Sequence, residues 1–137
     1  MLFSKKKIVA KSVAALGLVL TLGGTAVASA SSWTVTEVNV GAGGSWSSYG
    51  DPNLKTTNSN VASFNGDALP ATFGYNVRLI NSHASGRSSW VGLYKDRTTH
   101  ADNNSGKRNY YYYSDVRSQK FEPNETHVKL HFSSDRK

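Results

Sequence analysis

Two patterns of apolar residues divide this chain. From Val13 to Leu22 they run continuously, broken only by Gly17 and Thr21; after Ala30 no stretch repeats them at helical spacing for more than a turn. Alternation takes over instead, and it is cleanest where Phe73, Tyr75, Val77 and Leu79 are separated by Gly74, Asn76 and Arg78. Successive side chains of a strand leave opposite faces, so this pattern predicts a half-buried strand with those four residues turned inward. Val128, Leu130 and Phe132, alternating with His127, Lys129 and His131, predict a last strand with one wet face. Trp33 to Val40, Val61 to Phe64, Trp90 to Tyr94 and Tyr110 to Val116 are further β-rich runs. Val61 to Phe64 and Trp90 to Tyr94 are apolar on both faces and are expected at the centre of a sheet.

Turn chemistry separates these runs. Gly41-Ala42-Gly43-Gly44 frees the backbone, Asp51-Pro52-Asn53 and Glu122-Pro123-Asn124 preset φ through proline, and Asp102-Asn103-Asn104-Ser105-Gly106 gathers residues that tolerate left-handed geometry. Asp51 to Asn60 is polar and strand-poor, and is expected to be the longest loop. About six short strands spaced in this way predict an all-β fold, a small antiparallel β-sandwich. An N-terminal signal-peptide helix is expected to precede it.

That leader is read from the cationic start Lys5, Lys6, Lys7 and Lys11, the apolar run, and the small residues Ala28-Ser29-Ala30. The run is about ten residues, roughly half of the ~20 needed to cross a bilayer as a helix. Residues 1–30 are therefore read as a cleaved signal peptide and 31–137 as a single secreted β domain of 107 residues. A chain of that size buries about two-thirds of its unfolded surface, enough for one core. Cleavage leaves twelve Lys and Arg against nine Asp and Glu, so the formal charge falls from +7 to +3 and a nucleic-acid partner loses its main support. The chain has no cysteine, hence no disulfide, no thiol nucleophile and no lipidated cysteine anchor. The expected location is extracellular, after release from a Gram-positive cell.

Catalytic patterns are weak. His127 and His131 stand four apart, but on a strand their Cα atoms are about 13 Å apart, too far to share one zinc. No serine lies in a Gly-x-Ser-x-Gly elbow or a Ser-x-x-Lys pair, and the acids are scattered singly. The 102–106 segment departs from a calcium loop in the position of its glycine and in lacking a glutamate at the twelfth place. No catalytic, cofactor-binding or metal-ligating residue is assigned, and the protein is read as a non-enzyme.

Aromatic placement is more informative. Tyr110, Tyr111, Tyr112 and Tyr113 on a strand send two rings to each face, so one pair must meet water, a neighbouring element or a ligand. Lys107 and Arg108 precede the run, and Arg117 and Lys120 follow it. A cationic aromatic surface favours anionic partners such as pyrophosphate-bearing lipids or wall polymers.

Gly43-Gly44-Ser45-Trp46 with Gly50 after it, Arg87-Ser88-Ser89-Trp90-Val91, and Gly106-Lys107 leading into Tyr110-Tyr111 follow a known order. This order resembles the landmarks of the lactococcin 972 family of secreted bacteriocins. The likeness spans Gly43 to about Tyr113 with long gaps; a tail of some two dozen residues after the tyrosines departs from the family pattern. The resemblance implies a small β-sandwich that engages the cell-wall precursor lipid II and blocks septum synthesis in related Gram-positive cells. It places Gly43, Gly44, Trp46, Arg87, Ser88, Trp90, Tyr110 and Tyr111 in that role. Together with the charge pattern, the candidate ligand-binding residues are Trp46, Arg87, Trp90, Arg108, Tyr110, Tyr111 and Tyr112. The expected partner is a cell-wall precursor or wall polymer, with contact at the membrane surface. The competing expectation is a non-toxic exported protein that binds wall or glycan or forms a matrix.

Overall fold

Alternating apolar residues fold here into eight strands: β1 (Thr34–Val40), β2 (Asn53–Leu54), β3 (Ala62–Ala68), β4 (Tyr75–Ile80), β5 (Val91–Leu93), β6 (Thr98–Ala101), β7 (Tyr111–Ser118) and β8 (Thr126–Ser133). The computed structural model describes residues 32–137; the expected signal-peptide helix lies outside the described residues. Two four-stranded sheets form, in the orders β1-β8-β3-β6 and β2-β7-β4-β5, and every strand pair is antiparallel. Only β4 and β5 follow one another within a sheet; every other connection carries the chain from one sheet to the other. The fold is thus an all-β sandwich.

The inner faces meet in one core. Val38, Val40, Phe64, Val128, Leu130 and Phe132 come from the first sheet, and Tyr75, Val77, Leu79, Leu93, Tyr112 and Val116 from the second. Phe64 and Phe132 face each other across β3 and β8, and their rings stack with centroids 6.1 Å apart. Each such side chain stabilises the fold by about 1.5–3 kcal/mol through removal from water.

Four expectations need correction. Phe73 is 56% exposed and stands in a turn before β4, because Gly74 at φ 86° breaks the strand that the alternation suggested. β3 is internal to its sheet as expected, but β5 lies at an edge, and Tyr94 beyond it is exposed. The polar stretch 51–60 contains β2 and the buried residues Asn53 and Lys55. Finally, β7 begins at Tyr111, so the tyrosine run does not divide into two pairs; Tyr112 alone among the four joins the core.

The segment between β1 and β2 determines what the second sheet shows to solvent. Trp46 bridges Arg117 of β7, Ser47 Oγ accepts a hydrogen bond from Val116 N at 3.0 Å, and Asn53 pairs with Tyr112. The segment therefore runs along the free edge of β7. Its bend depends on Gly50 at φ 69°, where a Cβ would lie 2.2 Å from Thr36 Oγ1. That oxygen accepts the N–H of Asp51, so the bend is locked to β1.

Candidate functional site

Strand alternation places Asn76 and Arg78 of β4, and Tyr113, Asp115 and Arg117 of β7, on the outer face of the second sheet. Arg78 stands opposite Asp115, and its Nε donates to Asp115 Oδ2 at 3.5 Å. Two tryptophans close over this pair. The Arg78 guanidinium lies 4.8 Å from the Trp46 ring and 4.6 Å from the Trp90 ring, and that of Arg117 lies 4.0 Å from Trp90. The two indoles are 6.1 Å apart. Guanidinium faces packed on indole are attracted by the ring quadrupole and held in orientation. Burial pushes the Asp115 carboxyl above its ordinary pKa, and the neighbouring Arg78 only partly opposes this.

A cleft of about 270 Å³ opens at one end of the same sheet. Arg87, Lys107, Tyr110, Tyr111 and Tyr112 line it, with Asn81, Ser82 and Ser105 supplying amide and hydroxyl groups. Its walls are two loops, β4–β5 and β6–β7, tied together at the backbone: Arg87 N donates to Leu79 O, and Ser105 N donates to Arg87 O, each at 2.7 Å. Asn81 Oδ1 accepts from His83 N and Ser85 N, which shapes the tip of the first loop. The Tyr112 hydroxyl accepts the N–H of Lys107 at 2.6 Å, so this buried ring holds the second loop from below. Tyr110 and Tyr111 remain about 60% exposed, as two open rings beside two cations.

The expected site residues therefore separate into two places. Trp46 and Trp90 join the stack on the sheet face; Arg87, Tyr110 and Tyr111 converge on the cleft. Tyr112 belongs to the core and reaches the cleft through its hydroxyl, a correction to its reading as a contact residue. Arg108 is exposed in the turn with Asn109 and lines neither feature. Ser88 is half-buried, and its Oγ accepts from Leu79 N, a backbone role. Arg78 and Asp115 were missed, although Arg78 sits at an outward position of the most legible strand.

His127 and His131 lie on the outer face of the other sheet. His127 Nε2 meets Glu37 at 2.6 Å, while His131 Nδ1 meets Asp67 at 3.0 Å and its ring packs edge-on against Trp33. Among the described residues no group of three His, Asp or Glu is placed to hold a metal ion.

Compared with known proteins, the chain matches no family model, no curated protein and no solved structure.

Proposed function

We propose that this is a secreted, bacteriocin-like binding protein, not an enzyme, that acts at the bacterial cell wall by holding an anionic wall component. The observation that carries the reading is the convergence of Arg87 and Lys107 with the open rings of Tyr110 and Tyr111 around one cleft. A sugar presents apolar C–H faces to aromatic rings, and a phosphate or pyrophosphate presents oxygens to a guanidinium and an ammonium. Neither Arg87 nor Lys107 has a salt-bridge partner among the described residues, so both charges are available to a ligand. Lipid II and the phosphate-rich wall polymers both have this chemistry.

The test is sedimentation of the secreted protein with purified Gram-positive wall and with vesicles containing lipid II, run beside growth inhibition of a panel of strains. Tyr111→Ser and Arg87→Ala should each weaken attachment by about tenfold, equivalent to 1.4 kcal/mol, with the melting temperature little changed. Raising salt should weaken the parent and the tyrosine variant more than the arginine variant, because the screened charge has gone from the latter. Attachment with growth inhibition supports the bacteriocin reading. Attachment without inhibition favours a non-toxic wall-binding protein, and a folded protein that attaches to nothing refutes the wall reading.

A further inference from the structure

A second cleft, of about 250 Å³, opens at the other end of the same sheet. Arg117 and Lys120 line it with Asn76, Ser118 and Gln119, over the Gly43-Gly44 backbone. The two glycines lie at φ 68° and 85°, and their N–H groups are already committed to Glu122 O and Ser118 Oγ. Any ligand here is therefore met by side chains. Trp90 takes the flat face of Arg117 and leaves its N–H edge without a hydrogen-bond partner in the described chain. The Asn76 and Gln119 carboxamides are equally unengaged among the described residues. Neither cleft is lined by a carboxylate.

Two cationic clefts thus flank a tryptophan-covered face. Arg117 and Tyr111 both belong to β7, six residues apart, which places them about 20 Å from one another along the strand. Each cleft is at or below the small end of the range for small-molecule sites and suits one phosphate-bearing unit. A single unit fills one cleft; a repeating chain laid along the sheet fills both and passes Trp46, itself half exposed, on the way. Linking two weak contacts through one ligand makes the second intramolecular, which raises affinity about 10²–10⁴-fold without any new contact.

Resting on the wall-binding reading, we infer that the ligand is a phosphodiester-linked wall polymer held at both clefts at once, and not a single precursor molecule held at one. The probe is long poly(glycerol phosphate), compared with glycerol 3-phosphate and with single-stranded DNA of equal charge, by calorimetry on the secreted protein. The polymer should bind about 100-fold more tightly, per chain, than the monomer. Lys107→Ala and Lys120→Ala alter exposed side chains at opposite ends, and each alone should bring the polymer close to the monomer's affinity. Comparable affinity for monomer and polymer overturns the inference. So does a variant at either cleft that leaves polymer affinity within about twofold, a change too small for loss of the second contact. DNA binding as tight as the polymer's also overturns it, since charge alone would then explain the attachment.

Sedimentation separates this inference from the reading beneath it. Wall stripped of phosphodiester polymers should lose the protein while intact wall retains it. Equal retention by both refutes the polymer and leaves wall binding standing, whereas retention by neither refutes both.

Discussion

Lys55 has no exposed surface, yet every donor of its ammonium group is used: Nζ reaches Ser59 O at 2.6 Å, Ser134 O at 2.9 Å and Asp135 Oδ1 at 3.0 Å. Asp135 in turn accepts from the backbone N–H and hydroxyl groups of Thr56 and Thr57. This network ties the C-terminal end of the chain to the segment after β2. Burial alone would push the Asp135 carboxyl up; the bonds from Thr57, Thr56 and Lys55, with the Lys55 charge, outweigh it and hold the pKa below the ordinary carboxylate value. An acid with a lowered folded pKa stabilises the fold fully above its unfolded value, near 3.9, and loses that contribution as pH falls through the folded one. Asp135→Asn should accordingly cost about 3–5 kcal/mol at neutral pH, because it leaves the Lys55 charge buried without its counter-ion. Urea denaturation checks this. The variant should also lack the part of the parent's acid-induced loss that belongs to Asp135. Asp115 has the opposite sign: its raised pKa means that the folded state holds this proton more tightly, so acidification relieves a cost there. None of this was legible in sequence, where Lys55 is one cation in a polar stretch and Asp135 one acid in a charged tail.

At the scale of elements, β4 was the most legible because three of its inward residues, Tyr75, Val77 and Leu79, alternate over the full strand. Val77 lies at the centre with no exposed surface, between β5 and β7. Val77→Asp should place an unpaired charge in the core and unfold a domain whose whole stability is about 5–15 kcal/mol. Loss of dispersed amide resonances or of a cooperative melt checks it, and a melt like the parent's would show the register to be wrong. The same alternation extended one step too far, to Phe73, because period alone does not show where a positive-φ glycine ends a strand. β6 escaped notice altogether: Thr98, Thr99 and His100 are all half-buried, and only Ala101 is apolar and fully enclosed. Its strand character comes from pairing with β3, where Asn65 Nδ2 donates to Thr98 Oγ1 at 2.9 Å. β2 owes its two residues to the edge of β7 in the same way.

For the whole molecule, the proposed export carries its own check. Intact-mass measurement of protein from the medium should give the mass of Ser31–Lys137, and a mass that includes Met1 to Ala30 would refute cleavage. The sequence by itself determined the all-β class, the core of β4 and β8, and the types of residue available for binding, because period-two alternation and turn chemistry are local properties. It also brought the tyrosines forward as candidates, since they form an aromatic stretch with basic neighbours, and Arg87 through the resemblance; it singled out Arg108 where the cleft is lined by Lys107. Only the tertiary structure decided which of these face one another. The chain changes sheet at all but one connection, so Trp46, Arg78, Trp90 and Arg117 meet across long separations in sequence. Whether a tyrosine is core or surface depends on where β7 begins, and that is set by its partners β2 and β4. The pairing of buried Lys55 with Asp135 likewise needs two distant segments to be brought together before either charge can leave water.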